Sequence, residues 1–299
     1  APGIVPGIGM AMNSFTRPGD KVMIQPPVYH PFAWVTTRNE RTLVTNPLKW
    51  ENGMYRMDLD AFREQVKGCK LFILCNPHNP GGVVWTEDEL RTVAEICYEE
   101  KVLVFSDEIH ADLTLPPYKH RPFATISEKA KMNSVTFMSP SKAFNMPGLA
   151  ASHAIIFNED LRARFRKFMD AGELDMGHVF AFLSVEAAYT HGTEWLDQCL
   201  AYIQGNIDYV DNFLKTHAPR IKAIRPQASY LVWLDCRELG LNQEALNDFF
   251  ADKAHLALND GAMFGKEGTG YMRLNVASPR SVIEQAMKQL AEAYQAMSF

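Results

Sequence analysis

The sequence predicts an α/β fold, in which a mostly parallel sheet lies between helices and a smaller α+β domain follows. Three observations lead there. Short β-branched apolar runs alternate with amphipathic helical stretches through the first two-thirds of the chain. Several runs are apolar throughout, as strands covered on both faces must be. Polar clusters follow directly after strand ends, where sheets of this kind bind their ligands.

In chain order, Lys21–Gln25, Thr42–Thr45, Lys70–Cys75, Val102–Ser106, Ser134–Met138 and His153–Phe157 read as strands. Leu59–Val66 and Thr86–Glu99 read as helices. The second opens on Thr86 with Glu89 three residues on, the pattern of a capping box. The stretch Leu161–His217 is mainly helical. After it the rhythm changes: Ser229–Asp235 and Tyr271–Val276 read as strands, Asn242–Lys253 and Arg280–Ala296 as helices. The expected organisation is therefore a large domain over 1–203 and a small C-terminal domain over 204–299. With 47 % hydrophobic residues in 299, the chain has enough apolar mass for two cores.

A net charge of −5 gives no electrostatic reason to expect nucleic acid or an anionic membrane as a partner. No apolar run approaches the roughly 20 residues of a membrane span, and Ala1-Pro2-Gly3 does not open a secretory signal. The five cysteines are an odd number, widely spaced and mostly in apolar runs. They read as buried thiols of a reducing compartment, not as a disulfide framework or a metal site. A cytoplasmic location and no metal are expected.

Four clusters carry chemistry. Asn76-Pro77-His78-Asn79-Pro80-Gly81-Gly82 follows the strand ending at Cys75; its composition also suits a plain tight turn. Ser106-Asp107-Glu108-Ile109-His110 ends the next strand. Two carboxylates there need a cationic ligand, a metal, an arginine or solvent. Lys142, framed by Ser139 and Ser141 after Ser134–Met138, is a candidate amine nucleophile whose pKa would fall on desolvation, or a solvated loop lysine. Arg273 lies in an otherwise apolar strand, where a guanidinium needs an anionic partner: a substrate carboxylate or an internal ion pair.

The ordered set Asn79, Asp107, Lys142 and Arg273, separated by 28, 35 and 131 residues, resembles the signature of class I/II aminotransferases that depend on pyridoxal 5′-phosphate (PLP). The resemblance covers essentially the whole chain. Gln25-Pro26-Pro27-Val28-Tyr29-His30-Pro31-Phe32, Asp107-Glu108-Ile109-His110 and Arg273-Leu274-Asn275-Val276-Ala277-Ser278-Pro279-Arg280 are similar to the cystathionine β-lyase-like C–S lyases of the MalY/PatB type. It implies the PLP-dependent transferase fold type I, with a seven-stranded-type sheet in the large domain. It also implies PLP as cofactor, a small amino-acid substrate, and a homodimer with the active site at the subunit interface.

The resemblance further implies roles. Lys142 would carry PLP as a Schiff base and act as the base at Cα, and Asp107 would pair with the pyridinium nitrogen. Asn79 would donate to the phenolic oxygen, with His110 beside it where typical transaminases have Tyr. Tyr29 would stack on the ring, or serve only as a core aromatic. The phosphate would rest on backbone amides around Gly3, Ile4 and Val5 at the start of a helix, aided by Ser139 and Ser141. Arg273 would grip the substrate α-carboxylate. The family often has an Arg eight residues after the lysine, where this chain has Ala150, so the phosphate would lean on other groups. The family also carries several dozen residues ahead of the phosphate loop, and this sequence opens almost at that loop. The expected activity is C–S β-elimination on cystathionine, cysteine or related S-substituted amino acids. The alternatives are transamination and a non-catalytic regulatory or binding module.

Overall fold

In the computed structural model, which describes residues 1–174, 176–177 and 179–297, the alternating apolar runs form two sheets. The chain begins with α1 (Ile4–Phe15), β1 (Lys21–Ile24), α2 (Pro31–Arg38), β2 (Thr42–Thr45), β3 (Lys49–Glu51), β4 (Met54–Arg56), α3 (Leu59–Gln65), β5 (Cys69–Cys75) and α4 (Glu87–Glu99). Then follow β6 (Leu103–Asp107), α5 (Glu128–Met132), β7 (Ser134–Met138), β8 (His153–Ile155) and α6 (Glu159–Ala171). The large sheet has the order β2-β1-β5-β6-β7-β8. All its neighbours are parallel except β7 and β8.

β5 explains why the sheet is covered on both faces. Its period-2 geometry sends Phe72 and Leu74 into one core with Phe62, Leu90 and Val93 of α3 and α4. The alternate residues, Leu71, Ile73 and Cys75, enter the opposite core with Ile8, Met12 and Phe165 of α1 and α6. The capping box at Thr86 is formed in full: its hydroxyl accepts from Glu89 N–H, and the Glu89 carboxylate accepts from Thr86 N–H.

The remaining elements are α7 (Val179–His191), α8 (Thr193–His217), β9 (Lys222–Ile224), β10 (Leu231–Asp235), α9 (Gln243–Asp248), β11 (Asn259–Asp260), β12 (Tyr271–Asn275) and α10 (Arg280–Gln295). The small sheet, β11-β12-β10-β9, is antiparallel. Val232, Leu234, Met272 and Leu274 pack with Ile207 and Val210 of α8 and Met287 of α10. The opposite face turns to the large domain: Trp233 stacks on Tyr271 at 5.2 Å and donates its indole N–H to the Tyr55 hydroxyl at 3.2 Å. The boundary proposed near residue 203 falls inside α8, whose buried residues run from Ile203 to Leu214.

Three differences from the sequence reading have physical causes. The large sheet has six strands among the described residues, not seven, with β8 at one edge; Ala1 exchanges two backbone hydrogen bonds with Ser152, the residue just before β8. The β3–β4 hairpin was unexpected, although Asn52-Gly53 at its tip is a strong hairpin signal; both residues take positive φ. The β6 strand runs one residue further than expected and makes Asp107 its last member. No described helix is long and apolar enough to cross a membrane.

Candidate active site

Asp107 ends a strand that is apolar until Ser106, so its side chain is delivered to the carboxyl edge of the sheet while remaining almost wholly buried. There it borders a cavity of about 340 Å³ that also meets Ile4, Val5, Tyr29, Asn79, His110, Lys142 and Arg273. Residues from four strand ends, the first turn of α1 and the small sheet thus converge on one space. Of the residues given a role from sequence, Gly3, Ser139 and Ser141 are not among those that line it. The Ser139 hydroxyl is engaged with the Ala151 carbonyl at 2.6 Å and with Ser141 Oγ at 2.8 Å. Ser141 borders a second cavity on the other side of Lys142.

The electrostatics of the first cavity are unusual. Among the described residues, Asp107 accepts one hydrogen bond, from Ile109 N–H at 3.1 Å, and forms no ion pair. Burial pushes its pKa up to about 7, with neighbouring Glu108 adding to the rise and Lys142 opposing it. Burial also lowers the Lys142 pKa from its ordinary value, helped by Arg273 and resisted by Asp107. His110 is held neutral, its pKa lowered to about 3 by burial and by the two cations Lys142 and Arg273. Among the described residues, its Nδ1 has no hydrogen-bond partner, and neither does Arg273 Nε.

Arg273 is aimed by its surroundings. Its NH1 donates to Asn79 Oδ1 at 2.9 Å and its NH2 to Asn259 Oδ1 at 2.7 Å. The guanidinium lies 4.8 Å above the Phe264 ring. These partners are all neutral, so the cation retains its need for an anion. At the opposite end, α1 begins after Gly3 at φ 128°, a backbone that favours glycine. The amides of Ile4 and Val5, in the first turn of that helix, have no intrahelical acceptor, and both residues line the cavity.

The chain as a whole, over residues 1–290, matches the family model of class I and II aminotransferases. The chain belongs to this family. Within it, the chain is 39 % identical over 295 residues to the cystathionine β-lyase PatB of Bacillus subtilis, covering 98 % of this chain and 76 % of that protein. It is 30 % identical to the protein MalY of Escherichia coli, covering 99 % and 76 % respectively. The crystal structure of cystalysin from Treponema denticola, which contains a pyridoxal 5′-phosphate cofactor, superposes with a TM-score of 0.96 at 36 % identity. That match covers 99 % of this chain and 76 % of cystalysin. The family's MalY/PatB-type subgroup is therefore the one that the sequence wording indicated.

Sequence reasoning missed Asn259, Tyr230 and Asn275. Asn275 was within reach, since it lies two residues from Arg273 on the same strand and so shares its face. Asn259 faces Arg273 only through the β11–β12 register, which no local pattern announces. Tyr230 depends on a backbone turn at Ser229 that a sequence of ordinary strand residues conceals.

Proposed function

We propose that this protein is a PLP-dependent C–S β-lyase that releases a thiol, pyruvate and ammonia from cystathionine, cysteine or a related S-substituted amino acid. The observation that carries the reading is the pairing, across one cavity, of an uncompensated buried carboxyl with a desolvated lysine and an arginine that lacks an anion. The residues fit the cofactor. Asp107, with one hydrogen bond and a raised pKa, suits a protonated ring nitrogen. The unpaired amides at the start of α1 suit a phosphate, and the orphaned His110 Nδ1 and the amide of Asn79 suit polar groups at the ring edge.

PLP, when bound, supplies an electron sink for the pair left at the substrate Cα. Asp107 keeps a proton at the ring nitrogen. Asn79 is held by Arg273 through its carbonyl oxygen, which leaves its NH₂ group to donate to the ring oxygen. Tyr29 walls the ring face. Arg273 binds the α-carboxylate and so orients the Cα–H bond toward Lys142. Lys142, its ammonium disfavoured by burial, takes the Cα proton. A thiolate then leaves from Cβ, and the resulting enamine hydrolyses to pyruvate and ammonia.

Transamination shares the first proton transfer, and the family includes aminotransferases; the likeness to PatB and MalY favours elimination. The expected homodimer gains support from α7 and the segment before it, where Met176, Val179, Phe180 and Leu183 are between 56 % and 79 % exposed. The five free cysteines support a reducing, cytoplasmic setting. The test is to incubate the PLP-loaded protein with L-cystathionine and measure pyruvate and free thiol. Stoichiometric release of both supports the lyase. Keto acid formed only with an amino acceptor would replace it with an aminotransferase, and neither product would favour a binding module.

A further inference from the structure

Lys142 stands between two cavities. The second, of about 320 Å³, is bounded by Leu113, Trp195, Cys199, Ile203 and Pro279. Three residues, Lys142, Tyr230 and Asn275, line both. The polar groups of the first cavity are committed, on the reading above, to the cofactor and the α-carboxylate. Lys142 must meet Cα, so the substrate's side chain has one further space to enter, and Tyr230 stands at its mouth.

The position of Tyr230 is built from both domains. Its ring meets His110 edge-on at 6.3 Å between centroids, and its charge environment includes Arg273 and Tyr29. The preceding segment lies across the large domain. Gln227 N–H and Ala228 N–H both donate to the Gly82 carbonyl, at 2.8 and 3.2 Å. Ser229 N–H donates to Leu113 O at 2.9 Å, and Gln227 Oε1 accepts from Val84 N–H at 2.8 Å. A Cβ on Gly82 would come within 2.5 Å of Pro226 Cβ, so the segment sits directly on that glycine. Ser229 takes φ 78°, a left-handed backbone that is unfavourable for a serine and persists only where surroundings enforce it. That turn sends Tyr230 into the junction and Leu231 back into the strand. The backbone that carries Tyr230 is thus pinned to the large domain up to Ser229 and to β12 through Val276 N–H, which donates to the Tyr230 carbonyl at 2.9 Å, and a wall on a backbone that does not yield discriminates by size.

We infer that Tyr230 is a specificity-determining residue: it is the partition that sets how large a substituent on sulfur passes from the reacting centre into the second cavity. This rests on the lyase reading. The test compares kcat/KM for S-methyl-L-cysteine and S-benzyl-L-cysteine in the PLP-loaded wild type, Tyr230→Ala and Tyr230→Phe. Tyr230→Ala raises the benzyl-to-methyl ratio about tenfold, mainly through KM, whereas Tyr230→Phe keeps the ring and leaves the ratio within about twofold. Trp195→Ala, on the far wall, raises the ratio in the same direction and serves if Tyr230→Ala does not fold. The same ratios are read as dissociation constants from perturbation of the cofactor absorption band. A wild type that binds both compounds with the expected ratios, yet makes no pyruvate, would overturn the lyase reading and leave the partition standing. Equal losses for both substrates in Tyr230→Ala, with Trp195→Ala unchanged from wild type, would overturn the partition itself.

Discussion

Asp107 and Glu108 are adjacent, both almost fully buried, and solve the same problem in opposite ways. Glu108 points away from the cavity and is satisfied within the protein. It accepts from Ser106 Oγ at 2.8 Å and Phe123 N–H at 2.9 Å, and pairs with His120 Nε2 at 2.7 Å. It thereby clips the segment around His120 to the end of β6, and Asn76 does the same from β5 by donating to Arg121 O at 3.1 Å. Asp107 faces the cavity with a single donor. A buried carboxylate is therefore no sign of function in itself. The unmet requirement for a cation is what supports Asp107 as the proposed cofactor partner, because an unpaired buried charge is costly unless a ligand compensates it.

The largest effect that would break this comparison is expected at Glu108. Glu108→Ala strands His120, Phe123 N–H and Ser106 without an acceptor, and stability to urea should fall by about 3 kcal/mol or more. Asp107→Asn should do the reverse. Cofactor-free protein should become more stable at pH 8 by at least about 1 kcal/mol, since a charge no longer has to be buried, while PLP binding weakens by orders of magnitude. A loss of stability in Asp107→Asn similar to that of Glu108→Ala would erase the distinction.

The pH dependence sharpens it. Folding raises the Asp107 pKa to about 7, so the stability linked to its protonated form is complete below the ordinary carboxylate range and is lost as pH rises toward 7. His110 runs the other way. Its pKa is lowered to about 3, so its contribution is complete above about pH 6.5 and is lost as pH falls. Subtracting the Asp107→Asn curve from wild type isolates the first contribution. The difference should decline between pH 4 and 7 with a slope no steeper than about 1.4 kcal/mol per pH unit. A flat difference curve would mean that Asp107 is solvated or already paired.

The smallest effect concerns Arg273, where neutral partners aim the cation without neutralising it. Asn259→Ala should leave stability within about 1 kcal/mol and raise KM about tenfold with kcat little changed, because it loosens the group proposed to bind the carboxylate. An unchanged KM would mean that Asn79 and Phe264 suffice.

Much of this was legible because strand ends in a parallel sheet point to one edge, so Asn79, Asp107 and Lys142 could be grouped from their places after three apolar runs. Asp107 and Glu108, by contrast, were separated only by the family resemblance, since residue type and position at a strand end are shared by both. Which one faces the cavity depends on the strand ending one residue later than its apolar run suggests. The partner of Glu108 lies in a loop with no pattern, and the small-domain contributions arrive through a register and a left-handed serine that only three-dimensional context enforces.

Lys142 is the proposed cofactor lysine. The most direct measurement is to load the protein with PLP, reduce with borohydride, digest, and locate the phosphopyridoxyl group by mass spectrometry. The expected result is modification on the peptide carrying Lys142, with the adduct and the absorption band above about 400 nm both abolished in Lys142→Ala. Modification at another lysine, or an undiminished adduct in Lys142→Ala, would contradict the account.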